Sequence, residues 1–144
     1  VKILDIFISP GAAVKLQIND ILQMNEQTRH YGLLLSETEA RELIESRNRA
    51  ILEQGRVELG IDSLKKIITV FSSSVYINSS DYAPLLNELV EIFYFMKSET
   101  HDRISDDELI NIMKELFDGP SRGSVELLKH RDLPLWSKSV RVRR

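Results

Sequence analysis

The sequence predicts an all-α, single-domain bundle of five or six helices with irregular topology and an irregular basic C-terminal tail. Three observations carry that expectation. Apolar residues recur at spacings of three and four through most of the chain. Two Ser-x-x-Glu boxes, Ser36–Glu39 and Ser105–Glu108, mark helix starts. Glycines stand just past the ends of the periodic runs. The chain has 144 residues, enough to bury roughly two thirds of its unfolded surface without staples. The expected division is a helical domain over 1–130 and an irregular or disordered basic tail over 131–144.

From Ala12 the apolar positions Val14, Ile18, Ile21 and Leu22 share one helical face, and the helix is expected to end near Tyr31-Gly32. The preceding "VKILDIFI" reads as a short core-packing segment, because Asp5 interrupts its apolar run. Val1 in place of a methionine reads as a trimmed start or as one that follows a removed tag. Ser36 and Glu39 then form a capping box for a helix running to about Gln54, stopped by Gly55. After the short "RVELGID", a helix is expected from Asp62 or Ser63, burying Leu64, Ile67, Ile68 and Phe71.

"SSSVYINSS" breaks that helix, and the next begins at Ser80 or Asp81, where Pro84 is tolerated in the first turn. Tyr82, Leu85, Leu86, Leu89, Phe93 and Met96 form its stripe. "IFYFM" at 92–96 is apolar all round, which places this helix at the centre of the core. The box at Ser105 starts a helix whose face is Leu109, Ile112, Met113 and Leu116, ended by Gly119 and Pro120. A short helix is expected from Ser124 to His130. Pro134 then argues for an irregular stretch pinned by Trp136. Val75–Ile77 and Val140–Val142 are the only strand candidates.

Composition narrows function by exclusion. The chain has no cysteine, which removes disulfides, thiolate metal sites and thiol nucleophiles and is compatible with a cytoplasmic location. No apolar run approaches the ~20 residues that span a bilayer, so no membrane partner is expected. Net charge is −3, unevenly spread: residues 1–128 hold 13 Lys/Arg against 21 Asp/Glu, and residues 129–144 hold 6 against 1. An acidic body argues against nucleic-acid binding as the main task.

"DGPSRGSVELLK" imitates a calcium loop, with Asp118 first, Gly123 sixth and Val125 eighth. The oxygen ligands needed at positions three, five and twelve are replaced by Pro120, Arg122 and Lys129, so no calcium is expected. His30, His101 and His130 stand in no metal-ligand spacing, and "ETHD" at 99–102 reads as a polar loop. No phosphate loop, dinucleotide fingerprint or nucleophile elbow occurs, so no cofactor is expected and no catalytic residue is assigned.

One polar cluster stands out. The core phase of 40–51 runs Ala40, Leu43, Ile44, Arg47 and Ile51, which puts an arginine on the apolar stripe. Glu45, Arg47, Asn48, Arg56 and Glu58 can form either an anion- or carboxylate-binding pocket or an internal ion-pair network that sets the following turn. Tyr94 reads as core with its hydroxyl at an edge, or as a pocket donor.

"SETEARELIESRNRAILEQGRVELG", "YINSSDYAPLLNELVEIFYFMKSET" and "SDDELINIMKELFDGPSRGSVELL" together resemble an uncharacterised bacterial family of unknown function, found mainly in Firmicutes. The resemblance covers about residues 12–128 and does not extend to the basic ending. It implies a cytoplasmic, largely helical protein with no assigned activity and no catalytic residues. The leading expectation is therefore a helical binding or scaffolding protein acting by contact with another protein or by self-association. The second is a ligand binder or enzyme using the Arg47 cluster. The third is nucleic-acid binding through Trp136, Lys138, Arg141, Arg143 and Arg144.

Overall fold

The computed structural model describes residues 10–142. The segment "VKILDIFI", expected to pack on the core, and the last two arginines lie outside the described residues. Helices account for the described chain in this order: α1 (Pro10–Gln23), α2 (Asn25–Thr28), a 3-10 turn (Arg29–Tyr31), α3 (Glu37–Glu53), α4 (Asp62–Phe71), α5 (Tyr82–Glu99), α6 (Asp106–Asp118), α7 (Val125–Leu127), a π-helical turn (Leu128–Asp132) and α8 (Leu133–Val142). Among the described residues there is no strand: Val75–Ile77 lies in a turn region and Val140–Val142 belongs to α8.

The core is one cluster centred on α5, which contributes Tyr82, Leu86, Leu89, Val90, Phe93 and Met96. α3 packs along α5, α1 along α3, and α4 along α6. Fully burying each large apolar side chain contributes about 1.5–3 kcal/mol before ordering entropy is charged against it, so the longest apolar helix dominates the fold. Within "IFYFM" the expectation of burial all round fails at Phe95, which is 48% exposed while its four neighbours are buried. On α6 the buried stripe is Leu109, Ile110, Met113 and Phe117, with Ile112 and Leu116 only partly covered. The helix is rotated slightly from the predicted face so that Phe117 meets Phe71 edge-on, centroids 5.6 Å apart.

The capping chemistry is local and forms as expected at Ser36. Its hydroxyl accepts from the Glu39 amide at 3.1 Å, and Glu39 accepts from the Ser36 amide at 2.9 Å. Ser105 likewise accepts from the Glu108 amide at 3.2 Å. The predicted first helix does not run unbroken to Gly32. It breaks at Met24, because Asn25 turns its side chain onto both backbone groups of Leu35, at 2.9 Å each. Thr28 then donates to the Leu33 carbonyl at 2.7 Å. These bonds to the returning chain compete with helix continuation.

The tail requires a larger correction. Residues 133–142 are helical, not irregular. Leu133 and Ser137 are buried and Trp136 and Val140 half-buried, a spacing of three, one and three along one face. Pro134 is the second residue of α8. An α-helical bond from its nitrogen to His130 is impossible, and the chain widens into a π turn there, with the Leu133 amide donating to the Leu128 carbonyl. Asp132 in this turn accepts from Ser121 at 2.6 Å and pairs with Arg131 at 2.9 Å, which holds its carboxyl below the usual range.

Candidate functional site

Two places gather polar chemistry: the Arg47 cluster and a groove on the outer face of α5. Arg47 is 4% exposed. One of its terminal nitrogens donates to the Glu58 carbonyl at 2.9 Å and to the Gly60 carbonyl, and the other to Asn48 Oδ1 at 2.9 Å. The guanidinium therefore satisfies carbonyls of the loop between α3 and α4, which no helix or strand satisfies. The Glu58 carboxylate accepts from the Tyr94 hydroxyl at 3.0 Å and from Arg56 Nε at 3.3 Å. Arg56 also reaches Asp102 at 2.8 Å. Of the five predicted residues, Arg47, Asn48, Arg56 and Glu58 are brought together. Glu45 is exposed on α3 and forms no bond with them among the described residues.

The network continues into residues the sequence did not single out. Lys97, 5% exposed, pairs with Asp106 at 2.8 Å, approaches Asp102 at 3.8 Å and donates to the Ile104 carbonyl at 2.6 Å. Ser63 at the start of α4 donates to Asp106 at 2.6 Å. Lys97 follows Phe93 by four residues and Leu86 by eleven, which puts it at the edge of the apolar stripe, and that spacing was the signal available in the sequence.

The electrostatics are those of closed pairs. Hydrogen bonding from Arg56 holds the Asp102 carboxyl low, and Asp102 in turn raises Arg56. Burial would raise Asp106, but the Lys97 ammonium and Ser63 hydroxyl outweigh it and lower it. Burial, reinforced by the Glu58 charge, pushes the Tyr94 phenol far up. A shallow concavity of about 540 Å³ lies over Arg56, His101 and Asp102. The arginine beside that concavity pairs with Asp102, and the bonds of the cluster run between the 55–61 loop and the 100–106 loop.

The groove is different. Glu88, Glu91, Ile92 and Phe95 follow one another at spacings of three, one and three along the outer face of α5. The end of α3 supplies Glu53 and Gln54, and the C-terminal helices supply Glu126, Lys129 and Leu133. The space enclosed is about 470 Å³, within the range of natural binding clefts. Its floor is Ile92, Phe95, Met96 and Leu133, and its rim carries four glutamates against one lysine. The π turn sets this wall, since Lys129 lies within it and Leu133 follows it directly. Among the described residues no three His, Asp or Glu side chains gather as a metal site, and no helix is long and apolar enough to cross a membrane.

Fold and site together define a small all-α domain whose buried charges serve its own loops and whose open face is an acid-rimmed apolar groove. The chain belongs to DUF6323, a family of unknown function, whose model matches residues 20–144. The match runs through the basic ending, beyond the 12–128 span of the resemblance read from the sequence. Neither the curated proteins nor the solved structures contain a match.

Proposed function

We propose that this is a cytoplasmic bacterial protein that acts by protein–protein contact, receiving a basic amphipathic segment of its partner in the α5 groove. The observation that carries the reading is Phe95. It is half-exposed on the most buried helix of the fold, at the floor of a groove ringed by Glu53, Glu88, Glu91 and Glu126. An apolar floor takes the apolar stripe of an incoming helix, and the carboxylates select lysine and arginine on its flanks. The same rim repels phosphate, which disfavours nucleic acid on this face. The bacterial and cytoplasmic parts of the reading rest on the resemblance and on the absence of cysteine.

The ligand-binding alternative draws less support, because the guanidinium of Arg47 is enclosed and that of Arg56 is paired. The test replaces Phe95 with a photo-cross-linking phenylalanine analogue in the intact chain, expressed in its host. The expected result is a discrete cross-linked species that disappears when Glu88→Lys and Glu91→Lys are added. It should persist with Glu37→Lys, at the far end of α3. A cross-link indifferent to the rim charges would overturn the reading.

A further inference from the structure

The occupant of the groove has its own signature in this chain. The sequence is electrically divided, with a balance of −8 over residues 1–128 and +5 over 129–144. The positive side chains after the π turn are Lys138, Arg141, Arg143 and Arg144. Lys138 is exposed and forms no ion pair among the described residues. α8 starts at Leu133, which is part of the groove, and runs on for ten residues to Val142, about 15 Å away along its axis. Its basic end therefore cannot fold back into its own groove without dismantling the helix.

We infer that the segment received by the groove is the basic end of α8 from a second copy of this chain. Two copies related by a two-fold axis, with their α8 helices antiparallel, satisfy both grooves at once. The 15 Å that separates groove from basic end in one copy is matched by the reverse span in the other. The arrangement closes as a dimer and does not propagate as a filament. Leu135 is 60% exposed on α8 and lies outside the core cluster. In the antiparallel pair it supplies apolar surface between the helices, and Lys138 with the basic charge that follows it complements the glutamates. This inference rests on the groove reading above and narrows it to one partner.

Sedimentation velocity on the full chain tests it, at about 0.1 mM protein and about 50 mM salt. A dimer is expected that dissociates as salt rises toward about 0.5 M. Glu88→Lys with Glu91→Lys, and separately Lys138→Glu with Arg141→Glu, should each weaken association at least about tenfold. Mixing the two reversed forms puts opposite charges together in both grooves of the mixed dimer and should restore association. A single chain carrying all four changes should likewise dimerise within about threefold of the original. All substituted side chains described are exposed, and helix content and melting temperature check that folding is intact. A monomer at every salt concentration, or no recovery in the fourfold form, overturns self-association. If the Phe95 cross-link to another protein then remains sensitive to the rim, the groove reading stands without this partner. If it does not, both fall.

Discussion

The phenol of Tyr94 donates to the carboxylate of Glu58 at 3.0 Å, joining the centre of α5 to the loop that follows α3. Tyr94 is buried, and Glu58 reaches solvent at its edge. The two ends of this bond are therefore unequal. Tyr94→Phe should cost about 1 kcal/mol, because Glu58 keeps Arg56 and water. Glu58→Ala should cost about 2–3 kcal/mol, since it strands a buried hydroxyl and removes one of the two partners of Arg56. Urea unfolding of the two variants and their combination checks the order. Strict additivity in the double variant would show that the bond does not couple them.

Alkali should loosen the fold through its buried phenols. Burial pushes the Tyr82 phenol up to about 12, and burial with the Glu58 charge drives Tyr94 higher still. Both are raised relative to an unfolded tyrosine near about 10. The unfolded chain therefore loses these protons first. The stability linked to them is intact below pH about 10 and declines as pH rises toward the folded values. Absorbance of ionised tyrosine, followed with helix content, should show buried phenols titrating together with unfolding.

At the other end of the scale, Asp102 and Asp106 are both held low in the folded state. Their contribution is present above the unfolded value of about 3.9 and disappears as pH falls through the lower folded values. The partners again differ. Lys97 has 6% of its side chain exposed, and Asp106 has 41%. Asp106→Ala should destabilise by about 1–3 kcal/mol, because the ammonium cannot reach water easily. Lys97→Met should cost less, because the acids turn outward and the stem is replaced in kind. Thermal melts at neutral pH distinguish the two; the reverse order would place the burden on the carboxylates.

Gly123 and Gly55 both have left-handed backbones, with φ of 79° and 66°. A Cβ on Gly55 meets nothing within 4 Å, whereas one on Gly123 falls inside contact distance of the Cβ and Cγ of Tyr76. Gly55→Ala should therefore cost about 1 kcal/mol of backbone strain. Gly123→Ala should cost about 2–4 kcal/mol, because Tyr76 must also move off the edge of Phe117. Denaturant midpoints of the two variants give the comparison directly.

Arg47 tests the cluster itself. Arg47→Lys keeps the charge but cannot reach Asn48, Glu58 and Gly60 together. It should lower stability by about 2–3 kcal/mol and speed amide exchange in the 55–61 loop. Unchanged exchange there would mean that the loop holds its shape without the guanidinium.

Helix starts and stops were legible because their causes are local. Ser36 and Glu39, Ser105 and Glu108, and Gly55 act within a few residues of themselves, and so does the stripe Leu64, Ile67, Ile68 and Phe71. The placement of Arg47 on an apolar stripe was legible for the same reason. The rest of the polar network was only partly so. Arg56 and Glu58 are near in sequence, but Lys97, Asp102 and Asp106 come from more than forty residues away. Glu45 shares the helix yet faces water.

The α8 face was written in the sequence as Leu133, Trp136, Ser137 and Val140, but Pro134 reads as a stop unless the chain before it can widen. Ser121 bonds to Asp132 within that widened turn, a contact between residues eleven apart. The groove depends on three separated segments arriving together, so no local pattern announces it. By itself the sequence determined the helical class, the caps, most of the core and the charge division. The tertiary structure alone decided that the buried arginine closes a loop, that the tail is a helix, and that Phe95 is left facing solvent. Periodicity and capping act over one or two turns, whereas these outcomes depend on which faces meet across the fold.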